Sequence, residues 1–180
     1  MLSRMVGGLM VTAMALTGCA TAADDSASAT ENQADITFSQ QMIPHHQQSI
    51  QLADLTTGRA RSEKVKTLAN EIKSKENAQI ETMTGWLKSW HAEMPMNHDM
   101  PGMTMRGMLS ASDVTAVQNA PAAQFDRAWL TLMARHLGNG VEMAKTVLSS
   151  GKHPGTKSLA QEIVTEQQAE ITEINQTLAA

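Results

Sequence analysis

The chain has 180 residues, a formal net charge of −4, 14 methionines, no tyrosine and one cysteine, Cys19. That length holds one folded domain with short extensions. The mild acidity, without a basic patch interleaved with aromatics, gives no support to a nucleic-acid partner.

Met1 to Arg4 is a short positive start, and Met5 to Leu16 is an apolar run of twelve residues. That run is too short to span a bilayer and has the form of a signal-peptide core. It ends in Leu16-Thr-Gly-Cys19, which resembles the bacterial lipobox, whose cysteine is acylated and becomes the first mature residue. Residues 1–18 are therefore expected to be a lipoprotein signal peptide and Cys19 the lipid attachment. The mature protein would be exported and held on a bacterial cell membrane, its domain in the periplasm or outside the cell. Residues 19–33 are small and polar, with nothing to bury, and are expected to form a flexible tether.

Residues 34–180 are expected to be one domain. A first helix over about 35–57 ends at Gly58, and a second runs from the N-cap Ser62 to about Trp90. Val65, Leu68, Ile72, Met83, Trp86 and Trp90 fall on one face at 100° per residue, a core-facing stripe. A long link over about 93–110 follows, then a short helix opened by the capping box Ser110-Ala-Ser-Asp113. Helices over about 122–149 and 156–178 flank the turn Gly151-Lys-His-Pro-Gly155, which makes His153 a surface residue.

Displacing the chain by 91 residues aligns it with itself. Asp35, Met42, His45, Ala53, Leu68, Ala69, Glu71, Ile72 and Ile80 then meet Asp126, Met133, His136, Ala144, Leu159, Ala160, Glu162, Ile163 and Ile171. Two copies of a helical hairpin joined by a long link predict an all-α four-helix bundle with a Met-rich crossover.

Polar residues interrupt the apolar stripes at matching depths. His45, His46 and His136 lean toward the core, with Glu76, Gln79, Gln167 and Glu170 opposite them, and Met42 and Met133 lie one turn before the histidines. Two readings fit this layer. It is either a hydrogen-bonded polar core or a metal site of imidazole and thioether, with Glu76 and Glu170 orienting the rings. Pro44, inside the first helix, removes a backbone hydrogen bond beside the His pair and favours a shaped site.

The crossover carries six methionines in fifteen residues, Met94, Met96, Met100, Met103, Met105 and Met108. Pro95, Pro101, Gly102 and Gly107 make it a poor helix and a worse strand. Thioethers on a segment that cannot bury them suit a soft cation such as Cu(I), and they need no deprotonation to bind it. His91 and His98 border the cluster and add nitrogen donors.

Several of these segments together resemble the CopM-like family, domain-of-unknown-function family 305. They are Phe38-Ser-Gln-Gln-Met-Ile-Pro-His-His46, Ile50-Gln-Leu-Ala53, Leu68-Ala-Asn-Glu-Ile72, Met83-Thr-Gly-Trp-Leu-Lys-Ser-Trp90, His98-Asp-Met-Pro-Gly-Met103, Phe125-Asp-Arg-Ala-Trp-Leu-Thr-Leu-Met133 and Val141-Glu-Met-Ala144. The resemblance covers about 35–178. It implies a ferritin-like bundle and copper bound through Met and His, in copper tolerance or trafficking. The family repeats its His pair in the second half; here His136 is followed by Leu137, so that half offers one His plus Met133.

The expected function is a non-enzymatic copper binder. Met94, Met96, His98, Met100, Met103 and Met105 would take Cu(I), with Met42, His45, His46, Met133 and His136 as a second site that also accepts Cu(II). A copper-transfer partner would be implied. Two other classes compete. A Met-rich loop can serve as an adaptable docking surface for a partner. A di-metal carboxylate oxidase would need Glu-x-x-His on two helices, and no such motif occurs in the chain. Hydrolase and nucleotide motifs are also lacking.

Overall fold

The computed structural model describes residues 30–95 and 107–180, and among these it is all-helical. Helix α1 spans Gln33–Asp54, α2 Glu63–Ser89, α3 Ala111–Gln118, α4 Phe125–Ser150 and α5 Pro154–Ala179. α1 pairs with α2 and α4 with α5 as two hairpins. α1 and α4 meet at the centre, and short α3 lies on α4. The four long helices form the predicted bundle. None of the helices among the described residues is long and apolar enough to cross a membrane.

Local chemistry accounts for the helix ends. Asn32 caps α1 in a capping box with Asp35, and Ser110 caps α3 in the expected box with Asp113. After Asp54 the chain turns through Gly58, whose φ of +72° suits glycine. α2 ends in a Schellman motif. His91 at φ +53° donates to the Lys88 carbonyl at 3.2 Å, and Ala92 N donates to the Leu87 carbonyl at 2.9 Å. α1 continues across Pro44, which is buried.

The two hairpins brace each other through repeat-related aspartates. Asp126 Oδ2, at the start of α4, accepts from Ser62 N at 2.8 Å, and its Oδ1 accepts from Arg61 N at 3.1 Å. Asp35 Oδ2, at the start of α1, accepts from Lys152 N at 3.0 Å and His153 N at 3.1 Å. Each carboxylate thus satisfies otherwise orphaned amides at the turn of the other hairpin.

The apolar core has two halves. One gathers Leu52, Val65, Leu68, Ile72, Phe125, Trp129, Met133, Leu137 and Ile174; the other gathers Phe38, Met42, Ile43, Met83, Leu87, Val141, Ala144 and Ile163. Between them every long helix contributes buried polar residues.

Leu87, fully buried, takes the core position that the stripe gave to Trp86 and Trp90. The two indoles are half-buried at the rim, stacked with centroids 5.9 Å apart. His153 meets both edge-on, at 5.3 and 5.1 Å. It is the N-cap of α5 rather than a free surface residue, its Nδ1 accepting from Thr156 N at 3.1 Å.

Candidate functional site

The layer between the core halves contains His45, His46 and Ser49 from α1, Glu76 and Gln79 from α2, His136 from α4, and Gln167 and Glu170 from α5, all buried. The sequence-predicted histidines, carboxylates and amides are therefore together. A pseudo-twofold axis passes through them, because repeat-equivalent residues touch each other. His45 and His136 stack with centroids 3.8 Å apart at 7°. Gln167 Nε2 donates to Glu76 Oε1 at 3.2 Å, another pair separated by 91 residues. On the outer side Lys75 Nζ lies 3.0 Å from Glu170 Oε1, and Gln79 Nε2 donates to Glu166 Oε2 at 2.9 Å.

Gly140 makes this close packing of α1 and α4 possible. A β-carbon there would collide with Gln167 Oε1 and stand 3.0 Å from His45 Cε1. A glycine inside a helical pattern carries little signal by itself, which is why sequence reasoning missed it.

The layer is electrostatically unusual. Burial, reinforced by the neighbouring His136 and His46, pushes His45 well below the ordinary imidazole value. Burial lowers His46 to about 3, opposed by the amide of Gln79 beside it. His136 falls to about 4 by burial, opposed by the His45 carbonyl. All three are neutral at pH 7. Burial also raises Glu76 well above the usual carboxylate range, with Ser49 and Gln167 working against the shift. Glu170 is raised for the same reason, its contacts with Lys75 notwithstanding. With His46 uncharged, the 3.5 Å approach of its Nδ1 to Glu76 Oε1 is not an ion pair.

Five of the six imidazole nitrogens have no hydrogen-bond partner: both of His45, both of His46 and Nδ1 of His136. The sixth, His136 Nε2, lies 3.1 Å from the His45 carbonyl. A carbonyl only accepts, so Nε2 carries the proton and Nδ1 holds the free lone pair. Ser49 Oγ, Glu76 Oε2 and Gln167 Oε1 are also unpartnered. Neutral imidazoles with unused lone pairs suit a metal ion, since no proton has to leave first. As they stand, however, no three His, Cys, Asp or Glu side chains among the described residues converge in metal-holding geometry. Parallel stacking turns the nitrogens of His45 and His136 away from a common point. Met42 and Met133 are fully buried in opposite core halves, on either side of the layer rather than together beside it.

Of the crossover ligands, Met94 is described and is 43% exposed. Met96, His98, Met100, Met103 and Met105 lie outside the described residues, as do Cys19 and the expected signal peptide. The described ends of the crossover are tied to the bundle beside the His layer. Gln40 Nε2 donates to the Glu93 carbonyl at 2.9 Å. Gln48 grips Leu109 through both its amide atoms, at 3.2 and 2.8 Å, and Asn139 Nδ2 donates to the Gly107 carbonyl at 2.9 Å.

The fold and this layer define a class: an antiparallel four-helix bundle of two fused hairpins with neutral imidazoles buried on its pseudo-twofold axis. Residues 35–178 match the family described as Domain of unknown function (DUF305), and the chain belongs to it. A DUF305 fragment from Deinococcus radiodurans is 28% identical, with a TM-score of 0.74 over 82% of this chain and 97% of its own. A DUF305 protein from Streptomyces coelicolor is 30% identical, with a TM-score of 0.70 over 81% and 92%. CopM in its Cu(I)-bound form is 27% identical, with a TM-score of 0.66 over 79% and 93%. CopM is also solved with Cu(II) and with silver. No curated protein matches the chain.

Proposed function

We propose that this chain is a non-enzymatic copper binder of the bacterial envelope, exported and lipid-anchored through Cys19, that serves copper tolerance or trafficking. Copper is its cargo. Met94, Met96, His98, Met100, Met103 and Met105 take Cu(I), and the His45, His46 and His136 layer is a second site competent for Cu(I) or Cu(II). The single observation that carries this reading is the set of five buried imidazole nitrogens without a partner. A buried donor or acceptor left unsatisfied costs about 1–3 kcal/mol. A hydrogen-bonded polar core would have used those nitrogens, whereas an incoming cation takes up the one lone pair that each neutral ring offers.

The similarity to CopM, solved with Cu(I), Cu(II) and silver, supports the choice of metal. The absence of Met42 and Met133 from one common point favours imidazole as the dominant donor inside the bundle, with thioethers concentrated in the crossover. Glu76, 3.5 Å from His46, orients that ring, and Glu170 supports the layer from α5.

The test is competition with a chromogenic chelator. Replacing Met94, Met96, Met100, Met103 and Met105 by Leu is expected to remove the tightest Cu(I) binding while far-UV circular dichroism stays unchanged. Replacing His45, His46 and His136 instead is expected to remove a separate, weaker equivalent. Equal Cu(I) uptake by both variants and the parent would sink the proposal.

A further inference from the structure

An aromatic cluster outside the copper ligands lies at the end of the bundle where the chain enters. Asn32 Nδ2, at the start of α1, donates to the Ser150 carbonyl at 2.8 Å, and Asp35 accepts from Lys152 and His153. His153 in turn stands edge-on to Trp86 and Trp90. Gly155 makes room for the cluster, since a β-carbon there would lie 2.8 Å from His153 Cε1 and 3.1 Å from Trp86 Cζ2. The indoles are therefore held a few contacts from the point where the expected tether joins the domain.

Neither indole is enclosed. Trp129, the third tryptophan, is buried and donates its N–H to the Leu52 carbonyl at 2.8 Å. Trp86 instead lines an open groove of about 500 Å³ between α2 and α5, with Gly155 and Leu159. An aromatic ring with an apolar body and a polar N–H, held half in water, suits the boundary between water and lipid. The charge around it has the matching sign. The chain carries −4 overall, yet Lys88, Lys152 and Lys157 are exposed at this end, against the exposed Glu93 and the partly covered Glu31. Lysines beside a bilayer are drawn to anionic headgroups.

We propose that Trp86, Trp90 and the three lysines seat this end of the bundle on the anionic surface of the membrane that holds the lipid anchor. This deepens the lipoprotein reading and rests on it. Cys19 lies thirteen residues before Asn32, a reach of at most about 45 Å. The opposite end of the bundle, at Gly58 and Phe125, is farther by the length of α4, 26 residues or about 39 Å. The tryptophan end is thus the one the anchor keeps near lipid. Contact within a tethered molecule needs little intrinsic affinity, so a small patch is enough. As rim packing alone, the indoles would stay in water when the protein is anchored.

The experiment places the full acylated mature chain in phosphatidylethanolamine–phosphatidylglycerol vesicles whose acyl chains are brominated just below the headgroups. Bromine quenches tryptophan only near contact. Flotation of the vesicles reports the anchor, and quenching reports the docked surface. The expected result is a floating parent whose emission is quenched, and a W86F/W90F variant, keeping only buried Trp129, that floats unquenched. A parent that floats without quenching overturns the proposal, whether the indoles meet water or a second copy of the chain, and leaves the anchor standing. A parent that does not float ends both. Should W86F/W90F fail to fold, K88Q/K152Q/K157Q decides with its indoles intact. The ratio of docked to free protein should fall roughly fivefold for each lysine removed. Quenching that survives the loss of all three refutes the surface.

Discussion

His136 lies against the residue it repeats. Its ring stacks on that of His45 at 3.8 Å, and its Nε2 donates to the His45 carbonyl at 3.1 Å. Two fused hairpins related by a twofold axis must bring some equivalent positions face to face on that axis. Here they are an imidazole pair and a Glu–Gln pair. The symmetry is broken at one bond: the proton that His136 donates to the His45 carbonyl has no repeat-related counterpart, because neither His45 nitrogen has a partner. His136 therefore keeps only Nδ1 for a metal, whereas His45 can present either nitrogen, one at a time.

A His136→Phe variant follows from that asymmetry. It preserves an aromatic ring against His45 but deletes both the donated proton and the Nδ1 lone pair. The apo-protein is expected to lose about 1 kcal/mol, the net value of one hydrogen bond, measured by urea unfolding. Cu(II) affinity is expected to fall roughly tenfold or more. Unaltered Cu(II) titration would remove His136 from the site.

Stability should depend on pH through the same layer. The unfolded chain protonates its histidines from about pH 6.5 downward, whereas folded His136 and His46 resist to about 4 and about 3. The unfolded state then binds more protons, so stability is lost as pH falls through that window. Glu76 and Glu170 act in the opposite sense. Their folded carboxyls hold protons above the ordinary 4.5, so their contribution fades as pH rises past that value. Three imidazoles outweigh two carboxyls, so the urea midpoint of the apo-protein is expected to drop between about pH 6.5 and pH 4. E76Q separates the two effects. It should be more stable relative to the parent near neutral pH than in acid, and a pH-independent difference would contradict the raised carboxyl.

Asp35 and Asp126 brace the hairpins unequally despite being equivalents. Asp35 is fully buried and accepts from Asn32, Lys152 and His153, while Asp126 is half-buried and accepts from Arg61 and Ser62. Loss of a capping carboxylate costs about 0.5–2 kcal/mol. D126A should fall within that range, and D35A above it, because the Asp35 carboxylate is fully buried and accepts from three backbone amides. Thermal melts of the two variants give the comparison, and equal losses would show that burial adds nothing at Asp35.

The bundle and the polar layer were legible because both rest on periodicity. Apolar residues returned at helical spacing, and His45, His46, Glu76, Gln79, His136 and Gln167 broke the stripe at one depth. What escaped depended on contacts remote in sequence. The stripe drifted across a long helix, so Trp86 and Trp90 were assigned the core position that Leu87 holds. His153 resembled a turn residue because the amide it caps is recognisable only once α5 begins at Pro154. Crossover residues 96–106 fall outside the described part of the chain.

Two glycines of α4, two residues and so about 200° apart around the helix, should respond in opposite directions. At Gly138 a β-carbon meets nothing within 4 Å, whereas at Gly140 it meets Gln167 and the His45 ring. Gly138→Ala therefore keeps only the conformational benefit and should stabilise the protein by about 0.5–1 kcal/mol. Gly140→Ala gains the same helix preference but must displace a buried amide and a stacked imidazole, and overpacking of that kind costs about 1–3 kcal/mol. The displaced ring is His45, so Gly140→Ala should also weaken copper binding while Gly138→Ala leaves it intact. Urea unfolding and metal titration of the pair test both halves of the argument. Stabilisation by both substitutions would mean that α1 and α4 are not held as close as the His45–His136 stack requires.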